Sequence, residues 1–166
     1  MGNNFTLDLP DEAATLTFAA LLAKVIQPNL IIYLHGNLGA GKTTLVRGLL
    51  QALGHLGKVK SPTYALLEPY QVDTNDYIKL NIYHFDLYRF NDEEEWESAG
   101  FRDYFNAESV CIIEWPEKAQ NVLPIADIDI VFDVKMIAQC LGRSLKVSAH
   151  SPLGKQCLQA ISTAVS

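Results

Sequence analysis

Only three cysteines occur in the 166 residues, at 111, 140 and 157, with no Cys-x-x-Cys spacing and no histidine pattern beside them. A zinc site and a disulfide framework are excluded on that ground, and the thiols read as buried or incidental. No apolar run approaches the roughly 18 residues needed to span a bilayer. Met1 to Pro10 has no basic stretch leading into an apolar core. No membrane association is therefore expected, and a cytoplasmic protein is the economical reading. Basic residues are also scarce, 13 against 19 acidic, for a formal net charge of −6. That disfavours a broad nucleic-acid-binding face, although a small basic cluster on an acidic body is compatible with it; if RNA is involved, a partner supplies most of the grip. The four arginines, Arg47, Arg89, Arg102 and Arg143, are dispersed. The four histidines, His35, His55, His84 and His150, show no metal spacing and receive no chemistry. Internal repeats and low-complexity segments are lacking as well.

What is present is a core-forming composition, 49% hydrophobic, expected to fold as one domain over residues 1–166. Residues 36–43, Gly-Asn-Leu-Gly-Ala-Gly-Lys-Thr, spell a complete phosphate-binding loop. Leu30 to Leu34 before it is a nearly continuous apolar run, the pattern of a strand covered on both faces. After it, Leu45, Val46, Leu49, Leu50 and Leu53 recur at helical spacing up to Gly54, a C-terminal glycine. Strand, loop and helix follow in the required order. Glycines let the backbone from Asn37, Leu38, Gly39 and Ala40 through Gly41 curl and aim N–H groups at phosphate oxygens. The helix starting at Lys42, Thr43 and Thr44 adds its positive dipole end. Lys42 is placed to reach the β- and γ-phosphates of ATP, and the Thr43 hydroxyl to ligate Mg²⁺.

Around this unit, Pro10 to Ile26 reads as an amphipathic opening helix ended by Pro28, and residues 64–70 as a strand entered through Ser61-Pro62-Thr63. The turn cluster 73–76 precedes the alternation of Ile78, Leu80 and Ile82, so these two strands should pair antiparallel. Asp92 to Glu97 opens an acidic helix closed by Gly100 and reads as a solvated face. Val110 to Ile113 is a second doubly buried strand. Ile128 to Val134 and Leu145 to Ala149 alternate as a hairpin, and a helix from Pro152 to about Thr163 follows. The expected fold is α/β, a P-loop NTPase-like three-layer arrangement with a mixed parallel and antiparallel central sheet.

Two carboxylates are candidates to complete a metal site at strand ends. Asp86, in His-Phe-Asp-Leu-Tyr-Arg, fits a Walker-B-like acid; its alternative is a loop carboxylate paired with Arg89. Glu114 closes the buried strand 110–113 and is a candidate metal ligand or water-orienting base; its alternative is a helix or turn cap. Thr63 is either a switch residue that senses the γ-phosphate or a turn-capping hydroxyl. Trp115 is either core or a neighbour of the nucleotide.

With the loop at 36–43, Ser61-Pro62-Thr63-Tyr64, His84 to Arg89 and Ile113-Glu114-Trp115-Pro116-Glu117 together in this order, the chain closely resembles the bacterial TsaE (YjeE) family from about Pro10 to the C-terminus. The resemblance implies an ATPase, not itself the transferase, that acts on the TsaB and TsaD pair during installation of the threonylcarbamoyl group on N6 of adenosine 37 of tRNA. ATP turnover would reset or activate that pair. Carried over by position, Lys42 is the phosphate lysine, Thr43 and Glu114 are Mg²⁺ ligands, Asp86 is the Walker-B-like acid, and Thr63 belongs to a switch-like loop. Glu12 and Arg143 approach the nucleotide from outside the loop. The chain departs from the family at Asn37, where many relatives carry an acid, and between Lys135 and Arg143.

Three rival readings share the loop. A small P-loop kinase usually clamps phosphates with several arginines in a mobile lid, and no arginine-rich segment exists here. A GTP switch lacks its Asn-Lys-x-Asp base reader. A nucleotide-gated binding module without significant turnover differs from an ATPase only in hydrolysis, so a single-turnover assay discriminates them.

Overall fold

The computed structural model describes residues 3–62, 65–73 and 79–165. Seven strands form one sheet in the order β1-β7-β6-β2-β5-β4-β3. They are β1 (Asn4–Leu9), β2 (Ile31–His35), β3 (Leu67–Val72), β4 (Leu80–Asp86), β5 (Ser109–Glu114), β6 (Ile128–Ile137) and β7 (Cys140–Ala149). The pairs β2/β5, β2/β6 and β4/β5 are parallel, and β1/β7, β3/β4 and β6/β7 are antiparallel, so the sheet is mixed as the turn spacing implied. The helices are α1 (Glu12–Val25), α2 (Lys42–Ala52), α3 (Glu93–Ser98) and α4 (Pro152–Val165).

Strand side chains alternate between faces, and their parity sorts the core. Leu30, Ile32, Leu34, Leu80, Ile82, Val110, Ile112, Ile128, Ile130, Leu145 and Val147 turn to one side, where they pack with the buried faces of α1, α2 and α4. Phe85, Cys111 and Ile113 turn to the other, into an aromatic cluster with Phe90, Trp96 and Phe101. Parity carries through to the strand ends: Glu114 follows Ile112, and His84 and Asp86 follow Ile82, so all three lie on the α2 side.

Local chemistry sets the helix ends. Asp11 caps α1 by accepting from Ala14 N at 2.9 Å. In α2, Gly48 allows close approach to α1, because a Cβ there would stand 2.8 Å from Leu16 Cδ2 and 3.0 Å from Ala19 Cβ. Asp92 rather than a later residue caps α3.

Several elements differ from the sequence expectation. The first strand, β1, was not anticipated; it pairs along its whole length with β7, from Asn4 with Ser148 to Leu9 with Arg143. The strand expected over 64–70 runs instead from Leu67 to Val72, after Leu66 at a φ of 65°. Its Pro69 is tolerated because β3 is an edge strand. The hairpin β6/β7 is longer than its alternation suggested and turns on Ala138 and Gln139, both at positive φ. Thr63, and the expected turn and strand start over 74–78, lie outside the described residues.

Candidate functional site

The glycine-rich loop over residues 36–41 joins β2 to α2 and shapes a cleft of about 540 Å³ at the C-terminal ends of β2, β4 and β5. Two of its glycines are required by geometry. Gly41, at a φ of 108°, is the residue from which α2 departs, and no side chain caps that N-terminus. Gly36, at 148°, lies so close to Phe132 that a Cβ would stand 3.0 Å from the Phe132 carbonyl.

Of the residues assigned to the site from sequence, Glu12, Leu38, Gly39, Gly41, Lys42, Thr43, Thr44, Asp86, Glu114 and Arg143 line the cleft. Asn37 and Ala40 belong to the same loop turn, Ala40 N donating to Asn37 O at 3.0 Å, and do not line it. Thr63 lies outside the described residues, while Ser61 reaches the cleft.

Lys42 is 4% exposed. Its ammonium donates to Gly36 O at 2.6 Å and lies 3.8 Å from the centre of the Trp115 ring. Burial lowers its pKa, against the raising influence of Glu114, Asp86 and Glu117. Trp115 is thus not simply core: at a φ of 59° and half-buried, it sits against Lys42 and Tyr88 at the cleft wall.

The two carboxylates are neighbours, because Asp86 and Glu114 are register partners in parallel strands β4 and β5. Their surroundings differ. Glu114 is 2% exposed, and its Oε2 and Oε1 lie 3.2 and 3.4 Å from Thr43 Oγ1. It caps no turn. Asp86 is half-buried and accepts from Tyr88 N at 3.1 Å. Burial raises its pKa, the Tyr88 bond opposes that, and the Glu114 charge adds to the rise.

His84, to which the sequence assigned no chemistry, lies with Nε2 2.6 Å from Glu114 Oε2 and is itself fully buried. Its position two residues before Asp86 on an alternating strand was the one available signal. Arg143 reaches the loop from β7: Nε donates to Ala40 O at 2.8 Å and Nη2 to Gly39 O at 3.0 Å. Glu12, at the start of α1, pairs with Arg47 at 3.0 Å on the exposed rim.

This constellation has counterparts. The family described as "Threonylcarbamoyl adenosine biosynthesis protein TsaE" matches residues 9–144. The chain belongs to the TsaE family. The tRNA threonylcarbamoyladenosine biosynthesis protein TsaE of Haemophilus influenzae is 45% identical over 164 residues, 96% of this chain and 98% of that protein. The protein of the same name from Bacillus subtilis is 38% identical over 122 residues, 74% of this chain and 72% of its own length. The crystal structure of Bacillus subtilis YdiB superposes with a TM-score of 0.76 at 25% identity, covering 100% of this chain and 99% of that one. The TsaE match includes the loop, both carboxylates and Trp115, but not β1 before Leu9, β7 after Ser144 or α4.

Proposed function

We propose that this TsaE-family chain is a Mg²⁺-dependent ATPase of tRNA N6-threonylcarbamoyladenosine formation, acting as an accessory to the TsaB and TsaD pair and meeting tRNA only through them. The observation that carries the ATPase reading is the meeting of Thr43 with Glu114 beside Lys42, at the uncapped start of α2. The names of the relatives carry the pathway.

The donors suit magnesium. A threonine hydroxyl and a carboxylate are hard oxygen ligands, and Mg²⁺ takes one or two such groups beside substrate phosphates. When bound it would supply neutralisation of phosphate charge. Thr43 and Glu114 would hold it, the loop amides and Lys42 would bind and orient the triphosphate, and Trp115 would shield the lysine from water. Sequence alone leaves the roles of Asp86 and Glu114 exchangeable, whereas the surroundings favour a division. Glu114 is committed to Thr43 and His84, so Asp86, half-buried and bonded through one oxygen to Tyr88, is the group left to orient the attacking water.

A stimulating arginine is worth roughly 10³ to 10⁵ in rate in related hydrolases. Arg143 is spent on loop carbonyls, Arg47 on Glu12 and Arg102 on Glu97, and Arg89, which lines the cleft, is not free either. Turnover by the isolated protein is therefore expected to be slow and to rise on adding TsaB and TsaD. Steady-state ATPase assays with and without those proteins test this, and equal rates contradict the accessory role. Single-turnover hydrolysis by the intact protein and by Glu114→Ala separates an ATPase from a nucleotide-gated binder.

A further inference from the structure

The buried end of β4 holds an imidazole to which the proposed reaction gives no task. His84 is 0% exposed and shares its sheet face with Ile82 and Ile112. Its Nε2 is 2.6 Å from Glu114 Oε2, while Nδ1 is buried without a hydrogen-bond partner among the described residues. A histidine retained for packing is expected to satisfy both nitrogens, since an unmatched buried polar atom costs stability that an apolar side chain of similar size would avoid. His84 satisfies only the one directed at Glu114.

The need for that bond lies on the other side of the carboxylate. Glu114 is close enough to Lys42 for its charge to act on the ammonium, as Asp86 is. Left to rotate, a carboxylate so buried gains most by turning to the cation. Such an ion pair would remove both the phosphate lysine and the acid from service. Anchoring Oε2 from behind holds the carboxylate toward Thr43 Oγ1, at 3.2 and 3.4 Å from its two oxygens.

We propose that His84 is a positioning residue whose Nε2–H holds the Glu114 carboxylate against Thr43 and away from Lys42, so that the two oxygen donors are preset for a divalent cation. The proposal rests on reading Thr43 and Glu114 as the cation's ligands. Partners behind a metal ligand typically matter by about 10- to 100-fold in metal affinity or activity.

The test compares the parent with His84→Leu, which removes the donor, His84→Gln, whose amide N–H replaces Nε2–H, and Glu114→Gln. Affinity for a fluorescent ADP analogue is titrated against Mg²⁺, and kcat and KM for ATP are measured. His84→Leu is expected to need about 10-fold more Mg²⁺ and to lose about 10-fold in kcat with KM little changed, while metal-free nucleotide affinity stays at the parent value. His84→Gln is expected to regain most of the loss. If His84→Leu matches the parent while Glu114→Gln has lost its Mg²⁺ dependence, the positioning role is overturned. If Glu114→Gln also matches the parent, the ligand reading itself fails. Should the leucine variant not fold, nitrogen-15 spectra of the unaltered protein decide: a proton on Nε2 and a bare Nδ1 are expected for His84, and a proton on Nδ1 alone overturns the proposal.

Discussion

The Lys42 ammonium lies 3.8 Å from the centre of the Trp115 ring, and the same nitrogen is held by the Gly36 carbonyl at 2.6 Å. A cation over an indole face perturbs the ring's electronics, so movement of Lys42 toward a phosphate should be visible in Trp115. The other tryptophan, Trp96, is 1% exposed among Phe85, Phe90 and Phe101 and should be silent. Adding ATP with Mg²⁺ is expected to change tryptophan emission, and Trp115→Phe to abolish the change. A fluorescence titration checks this; a signal that survives Trp115→Phe contradicts it.

Arg143 donates to the carbonyls of Gly39, Ala40 and its own neighbour Gly142. A rigid fork of donors fastens the loop crest to β7, something a lysine cannot reproduce. Arg143→Ala is expected to weaken nucleotide binding by about 1.5–3 kcal/mol, the range for hydrogen bonds to charged groups. Arg143→Lys should recover little of it. Calorimetric titration of both variants gives the comparison, and parent-like affinity in the lysine variant contradicts the clamp.

At the end of β2, His35 Nε2 and His150 Nε2 each lie 2.5 Å from an oxygen of Asp129, and Glu117 is 3.7 Å from His35 Nδ1. The Asp129 bond raises the His35 pKa above its ordinary 6.5, although burial opposes the rise. Burial alone would push Asp129 up, but the bonds from His35 and His150 outweigh it and hold the carboxyl below 3.8. The histidine's contribution is complete below 6.5 and is lost as pH rises through its raised value. The aspartate's is complete above 3.8 and is lost as pH falls through its lowered one. Asp129→Asn should therefore cost most between about pH 4 and 6.5, on the order of 1 kcal/mol for so partly exposed a pair, and less on either side. Urea denaturation across pH measures the difference; a flat one contradicts the assignment.

Gly48 faces Leu16 and Ala19 across the α1/α2 contact. Gly48→Val forces the helices apart and is expected to cost about 1–3 kcal/mol, the usual range for overpacking. The midpoint of denaturant unfolding reports it, and an unshifted midpoint would mean that the contact yields freely.

The strand, glycine-rich loop and helix from β2 to α2 were legible because their signals are local: an apolar strand, glycines and a 3.6-residue period lie next to one another in the chain. The hairpins were legible for the same reason. What escaped depended on partners distant in sequence. Phe5, Leu7 and Leu9 alternate as a strand should, but six half-polar residues count as one only when β7 lies beside them. Ala138 and Gln139 form a two-residue turn without the glycine or asparagine that positive φ favours, so the extent of the hairpin was hidden. His84 and Glu114 are 30 residues apart, and their contact follows only from β4 lying parallel to β5 in this register. Arg143 likewise acquires its role from the return of β7 to the loop, not from any motif around it.

In the proposed function, residues 36–43 cradle a triphosphate and Thr43 and Glu114 complete the shell of its cation. The most direct measurement is calorimetry of ATP binding, with and without Mg²⁺, by the parent protein and by Lys42→Ala. Magnesium-dependent uptake of one ATP by the parent, lost in the variant, is the expected result; the same heat from both proteins, or none from the parent, would contradict it.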